Sequence, residues 1–182
     1  MPGDPVCRKD QKMTSVASIF DSMAYGPAPE GHAEALAWIA GHQGRFGHWI
    51  NGAFTAPGAV FETRNPATGK VLAEVSQGAG GDISAAVAAA RAAQVKWARM
   101  GGQRRARVLY ALARLVQKHA RLFAVLETLD NGKPIREARD IDVPLVARHF
   151  YYHAGLAQLL DSEQPGLQPV GVCGAVIPWN FP

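Results

Sequence analysis

The sequence is poor in cysteine, which excludes the usual cysteine-based sites. Cys7 lies near the N-terminus, and Cys173 lies far along the chain in an apolar run. Two isolated thiols make neither a disulfide framework nor the paired spacing of a zinc site, and they favour a reducing compartment. Because it lies within an apolar strand candidate, Cys173 is predicted to be a small, inert and buried side chain.

Long apolar runs are missing as well. No stretch reaches the ~18 apolar residues that a membrane-spanning helix needs. Residues 1–12 mix Lys and Arg with Asp and have no apolar stretch behind them, so they lack the pattern of a signal or transit peptide. The sequence therefore predicts a cytoplasmic protein with no membrane partner.

The familiar motifs that bind metals or phosphates do not occur. His149 and His153 are spaced as in a zinc-protease helix but lack its intervening Glu. Residues 78–81 are rich in glycine, but no Lys-Ser or Lys-Thr pair follows them, which excludes a phosphate loop. These residues are predicted to serve packing or turns.

Acidic residues are missing from residues 99–121, which contain seven lysines and arginines. At helical spacing, five basic residues share one arc and the apolar residues share another. The run lacks the interleaved aromatics of a nucleic-acid surface, so a solvated or partner-facing helix is predicted, and nucleic acid is not an expected partner. The basic arc contains Arg104, Arg107, Arg114, Lys118 and Arg121; the apolar arc contains Val108, Leu112, Leu115, Val116, Leu122, Phe123 and Leu126.

The composition that remains is that of a globular protein. The 182 residues are 48% hydrophobic and 19% charged, enough for one domain with a core. Residues 1–47 are predicted to be a leader with short helices, one of them around residues 16–23. Residues 48–182 form the domain proper, and no internal repeat is visible.

Turn signals predict a small antiparallel unit over residues 48–76. Asn51-Gly52 lies between apolar residues and predicts a hairpin. Residues 60–63 and 71–75 are short strand candidates, and Asn65-Pro-Ala-Thr-Gly69 between them predicts a tight reversal.

Three helices are predicted to follow. Asp82 is a suitable N-cap for the first, and Asn131-Gly132 predicts a left-handed end for the second, which is interrupted near His119. Pro144 should kink the third, because proline lacks an N–H and clashes with the preceding turn. The helices cover about residues 83–99, 103–129 and 135–160.

The apolar run over residues 169–177 is bounded by prolines and predicts a strand buried on both faces, as in parallel sheets. Such a strand needs parallel neighbours, each joined by a crossover of a dozen or more residues. None follows in the sequence. We therefore expect an α/β fold in which this strand pairs with another chain or with further parts of a longer polypeptide.

Four short motifs follow one another along residues 65–182. They are Asn65-Pro-Ala-Thr-Gly69, Leu126-Glu-Thr-Leu-Asp-Asn-Gly-Lys-Pro134, Phe150-Tyr-Tyr-His-Ala-Gly155 and Pro169-Val-Gly-Val-Cys-Gly-Ala-Val-Ile-Pro-Trp-Asn-Phe-Pro182. In this order and at this spacing they resemble motifs of the aldehyde dehydrogenase superfamily. The chain resembles the N-terminal part of such an enzyme, and residues 19–29 and 46–48 further resemble the leader of family 16, some of whose members have lost the catalytic cysteine.

The resemblance implies a truncated α/β fold: small antiparallel strands, three helices and the first strand of a Rossmann-like parallel sheet, in an incomplete NAD(P)-binding domain over residues 48–182. The implied reaction oxidises an aldehyde to a carboxylic acid through a cysteine thioester. The catalytic Cys and Glu are missing from this chain, so the chain alone is predicted to be inactive. The alternative is a truncated or pseudo-enzyme module that serves as a protein-interaction or structural subunit.

The resemblance also assigns roles to residues. Asn180 is the oxyanion-hole amide, and Ile177, Pro178, Trp179 and Asn180 contact NAD or NADP. Asp130, with the backbone near Thr63, matches a monovalent-cation site of some members. Residues 156–168 are shorter than the family's tetramer-forming β-ribbon, which favours a homodimer. The aldehyde, and the choice between NAD and NADP, depend on family positions outside this sequence.

Overall fold

The computed structural model describes residues 30–181, so Cys7 and the helix predicted around residues 16–23 lie outside the described residues. The chain has a mixed α/β fold, as the sequence predicts. Its helices are α1 Ala33–Gly41, α2 Gly80–Arg99, α3 Gly102–Lys118, α4 Ala120–Asn131, α5 Ile135–Glu137 and α6 Val143–Glu163, with a π-helical turn, Ala138–Asp142, before α6. Its strands are β1 Arg45–Phe46, β2 Trp49–Ile50, β3 Ala53–Phe54, β4 Val60–Arg64 and β5 Val71–Ser76.

The predicted antiparallel unit is confirmed. Strands β4 and β5 pair antiparallel, and the reversal between them closes with a 2.7 Å hydrogen bond from the Gly69 N–H to the Asn65 carbonyl. Strands β2 and β3 form the Asn51-Gly52 hairpin, in which both turn residues have positive φ, as a type I′ turn requires. The parallel pairing of β1 with β5 was not predicted, because a two-residue strand has no periodicity to read.

Helices α3 and α6 pack through alanines. Ala106, Ala113 and Ala154 are fully buried, and Gly102 lies so close to α6 that a Cβ there would overlap the Ala157 carbonyl oxygen. The basic arc is exposed as predicted, and the apolar arc is divided: Val116 is buried, whereas Leu115 is 52% exposed. Small side chains let the two helix backbones approach closely, so the larger residues are left outside the contact.

The helix ends follow the predicted signals with one correction. Gly132 has φ +80 and ends α4, and the interruption near His119 separates α3 from α4. Asp82 is not the N-cap of α2. Ala79 is, and Asp82 lies in the first turn, where its carboxylate accepts the Ala79 N–H at 2.9 Å. The irregularity expected at Pro144 takes the form of the π-helical turn just before it.

Residues 165–181 depart from the prediction. The apolar run is not a strand within the part of the chain described, and it is not buried: Val170 is 96% exposed, and Cys173 is also exposed. The run lies across α2, where Gly171 and Cys173 face Arg91 and Gln94 over a cavity of about 430 Å³. A strand forms only against a neighbouring strand, and residues 30–181 supply none here.

None of the helices within residues 30–181 combines the length and the apolarity that crossing a membrane would require.

Candidate active-site region

The loop after α4 joins two of the motifs that the sequence singles out. Gly132 has a left-handed backbone, and a Cβ on it would lie 2.6 Å from Cγ of Pro66 in the β4–β5 reversal. Only glycine combines this backbone with so close an approach. The reversal at residues 65–69 and the loop at residues 131–134 therefore pack against each other.

The same loop brings together the two residues predicted for a cation. The Thr63 hydroxyl donates a hydrogen bond to the Asp130 carboxylate, from the middle of β4 to the end of α4. Hydroxyl and carboxylate oxygens are the ligand type of hard cations. Among residues 30–181, no three His, Cys, Asp or Glu side chains are arranged to hold a metal ion.

The residues flanking Asn180 are held by this loop. The Asn131 side-chain amide donates a 2.7 Å hydrogen bond to the carbonyl of Trp179. The Lys133 ammonium lies 3.8 Å from the centroid of the Phe181 ring, a cation–π distance. Asn180 lies between these two anchored residues and is exposed.

Lys133 is itself part of a nearly buried charge cluster. Its ammonium forms ion pairs with Asp142 and, at 3.9 Å, with Glu127, and all three side chains are 10–14% exposed. Burial raises the pKa of Glu127, and the hydrogen bond and negative charge of Asp142 raise it further, while Lys133 partly offsets both. The ammonium of Lys133 thus contacts two carboxylates and an aromatic ring.

The residues predicted to contact the cofactor lie at the surface. Ile177 is 67% exposed and Trp179 is 86% exposed, and Pro178 between them is exposed too. An apolar side chain that is exposed to this degree loses unfavourable water contact when a flat ring covers it.

The comparisons with known proteins decide the family. Residues 54–182 match the sequence profile described as the aldehyde dehydrogenase family. The chain belongs to the aldehyde dehydrogenase family. It is 42% identical over 147 residues to aldehyde dehydrogenase family 2 member B4, mitochondrial, of Arabidopsis thaliana, covering 73% of this chain and 27% of that protein. It is 37% identical over 150 residues to acetaldehyde dehydrogenase 2 of Cupriavidus necator, covering 76% and 30%.

Solved structures of aldehyde dehydrogenases agree with this assignment. The NAD⁺ complex of the aldehyde dehydrogenase from Bacillus cereus is 43% identical and superposes with a TM-score of 0.59, covering 61% of this chain and 23% of that one. This aldehyde dehydrogenase chain spans between 27% and 30% of the length of the curated relatives it matches. The resemblance of the leader to family 16 stays a prediction, because the family match begins at residue 54.

Two features of this aldehyde dehydrogenase region were not found from the sequence. Asn131 was interpreted as part of a helix stop, and Lys133 was named only as a member of the Leu126–Pro134 motif. An apolar groove of about 440 Å³ also gave no local signal, because seven separate helices and strands and the π-helical turn contribute residues to its lining. Its lining includes Trp38, Phe46, Leu72, Val75, Phe123 and Val146, and its polar edge includes Thr63, Glu127, Asp130 and Asp142.

Proposed function

We propose that this chain forms the N-terminal part of an NAD(P)-dependent aldehyde dehydrogenase that oxidises an aldehyde to a carboxylic acid. In this proposal the Asn180 side chain donates a hydrogen bond to the oxygen of the reacting carbonyl. The observation that carries the proposal is the anchored turn around Asn180, in a chain whose relatives are named aldehyde dehydrogenases.

The chemistry suits an asparagine. The negative charge that develops on the carbonyl oxygen needs a donor that is fixed in advance of the reaction. A side-chain amide is neutral and does not titrate, so it donates at every pH and cannot compete as a nucleophile. Hydrogen bonding and ring contact to the residues on either side reduce the freedom of the Asn180 backbone before substrate arrives.

A bound NAD or NADP would accept the hydride that the aldehyde gives up. The chain's own contribution is a wall of exposed apolar surface from Ile177, Pro178 and Trp179, next to Asn180. The exposure of these residues fits them to cover a nicotinamide or its ribose. Thr63 and Asp130 would hold a monovalent cation at the other side of the loop, where their oxygens already lie together. We further propose that the protein is a cytoplasmic homodimer.

The test uses the protein produced from the complete gene. Asn180→Ala should lower kcat by roughly 10²–10³, corresponding to about 2.7–4 kcal/mol of lost transition-state stabilisation, with nearly unchanged cofactor Kd. Gln168→Ala, which removes an exposed amide from the same segment, is the matched control and should leave kcat unchanged. Hydride transfer should be followed before the steady state, so that slow cofactor release does not mask the effect. An unchanged hydride-transfer rate in Asn180→Ala would contradict the proposal.

A second candidate is a non-catalytic module that binds a protein partner. The exposed apolar residues of α3, beside its basic arc, favour it. The two candidates differ in one measurement: aldehyde-dependent reduction of NAD or NADP by the complete gene product supports the enzyme. Its absence in a folded product that binds neither cofactor supports the module.

A further inference from the structure

The four residues from Asp130 to Lys133 all contact parts of the chain that are distant in sequence. Asp130 contacts β4, Gly132 packs on the β4–β5 reversal, and Asn131 and Lys133 reach the turn at residues 179–181. The loop is thus a junction between the small sheet and the segment that carries Asn180. A helix stop needs only the left-handed glycine, so the side chains beside it require another explanation.

We infer that Asn131 and Lys133 are positioning residues for Asn180, an inference that rests on the proposed oxyanion role of that amide. Asn131 holds the carbonyl of Trp179, which belongs to the peptide group linking Trp179 to Asn180. Lys133 holds the ring of Phe181, the next residue along the chain. Two contacts on opposite sides of one residue restrict both the position of its Cα and the rotation of its backbone.

The buried charges explain why Lys133 can serve as a fixed point. A lysine side chain has many rotamers, and holding one of them costs conformational entropy. Asp142, at the end of the π-helical turn, and Glu127, within α4, both pair with its ammonium, and the Lys133 side chain is 12% exposed. The two carboxylates therefore hold the cation in addition to Phe181, so the turn packs on a charge whose position is restricted.

The contact with the ring gives a structural readout that does not depend on activity. Protons beside the face of an aromatic ring are shielded, so the Cε protons of Lys133 should resonate upfield of other lysines in this chain. Phe181→Leu, which leaves the charge cluster intact, should abolish that shift. Asn131→Asp removes the donor to Trp179 without changing side-chain size, and it should reduce the shift. A Lys133 resonance at the ordinary lysine position in the unmutated chain would overturn the inference.

The kinetic arm uses the complete gene product. Asn131→Asp, Lys133→Met and Phe181→Leu should each lower the hydride-transfer rate by about 10- to 100-fold with cofactor Kd unchanged, because small misplacements of a reacting group have effects of this size. Lys133→Arg keeps a cation over the ring and beside the carboxylates and should restore the rate. Lys118→Met, at the exposed end of α3, is the control and should behave as the unmutated enzyme.

The outcomes separate this inference from the proposed function. If Asn180→Ala leaves hydride transfer unchanged, the oxyanion role fails, and the Lys133 shift still reports whether the turn is held. If Asn180→Ala slows hydride transfer but Asn131→Asp and Phe181→Leu do not, the positioning role fails alone. Lys133→Met leaves two buried carboxylates without their cation; where this variant does not fold, Phe181→Leu and Asn131→Asp carry the test.

Discussion

Two regions of the chain are rich in apolar side chains but differ in how much of that apolar surface is buried. One is the pair of helices α3 and α6, and the other is the segment at residues 165–181. In the helix pair, Ala113 and Ala154 are fully buried, whereas Val176 in the segment is completely exposed. A helix satisfies its backbone hydrogen bonds within itself and needs only one packed face. An apolar strand needs neighbouring strands before it can bury anything. Apolarity alone therefore does not decide burial in this chain.

The largest effect on this comparison is expected inside the helix pair. Gly102→Ala would place a methyl group against the Ala157 carbonyl, so α3 and α6 must move apart, at a cost of about 1–3 kcal/mol. Gly101→Ala is the matched control, because a Cβ there meets nothing within 4 Å. Both substitutions reduce the freedom of the unfolded chain in the same way. Urea unfolding of the two variants measures the difference, and equal free energies of unfolding would contradict close helix contact.

A smaller difference between matched variants is expected where the loop after α4 packs on the β4–β5 reversal. Gly132→Ala and Gly69→Ala both force a side chain into the left-handed region, at roughly 1–2 kcal/mol each. Only the former also meets a neighbour, Cγ of Pro66, whereas a Cβ at Gly69 has open space. Gly132→Ala should therefore be less stable than Gly69→Ala by about 1 kcal/mol. Thermal and urea unfolding test this, and a reversed order would show that the loop and the reversal do not pack.

The smallest effect is expected in the exposed segment. Cys173→Ala should change the free energy of unfolding by less than about 0.5 kcal/mol, as for other surface positions. In a Cys7→Ser background, the thiol of Cys173 should react with a disulfide reagent without denaturant. In the complete gene product Cys173→Ala should retain turnover, because this thiol does not match the family's catalytic cysteine. Turnover lost in a folded variant would identify Cys173 as the nucleophile instead.

Features that depend on a few neighbouring residues could be predicted from the sequence, whereas features that depend on contacts with distant elements could not. Signals that act over a few residues were confirmed: the Asn51-Gly52 hairpin, the Asn65–Gly69 reversal and the left-handed Gly132. Properties that depend on distant elements were not, as with Cys173, which was expected to be buried and is exposed. The burial of a side chain depends on which distant elements pack against it, and the spacing of apolar residues along the sequence carries no information about those elements.

The candidate site shows a similar limit. Asn180 and Asp130 could be named because they stand in motifs that resemble the family, and Thr63 because the resemblance implies a cation site near its backbone. The hydrogen bond from Asn131 and the ring contact of Lys133 join residues 48 positions apart in sequence. No spacing rule relates residues so far apart, and only the fold brings them together.

The apolar run at residues 170–177 has a consequence for the solubility of the chain. Backbone groups that lack strand partners, beside exposed valines and isoleucine, are a template for pairing with a second copy and so for aggregation. Pro169 and Pro178 bracket the run and cannot donate to a growing sheet. The two prolines that bound the run in the sequence therefore also shorten the stretch of chain that can pair with a strand of a second copy during aggregation.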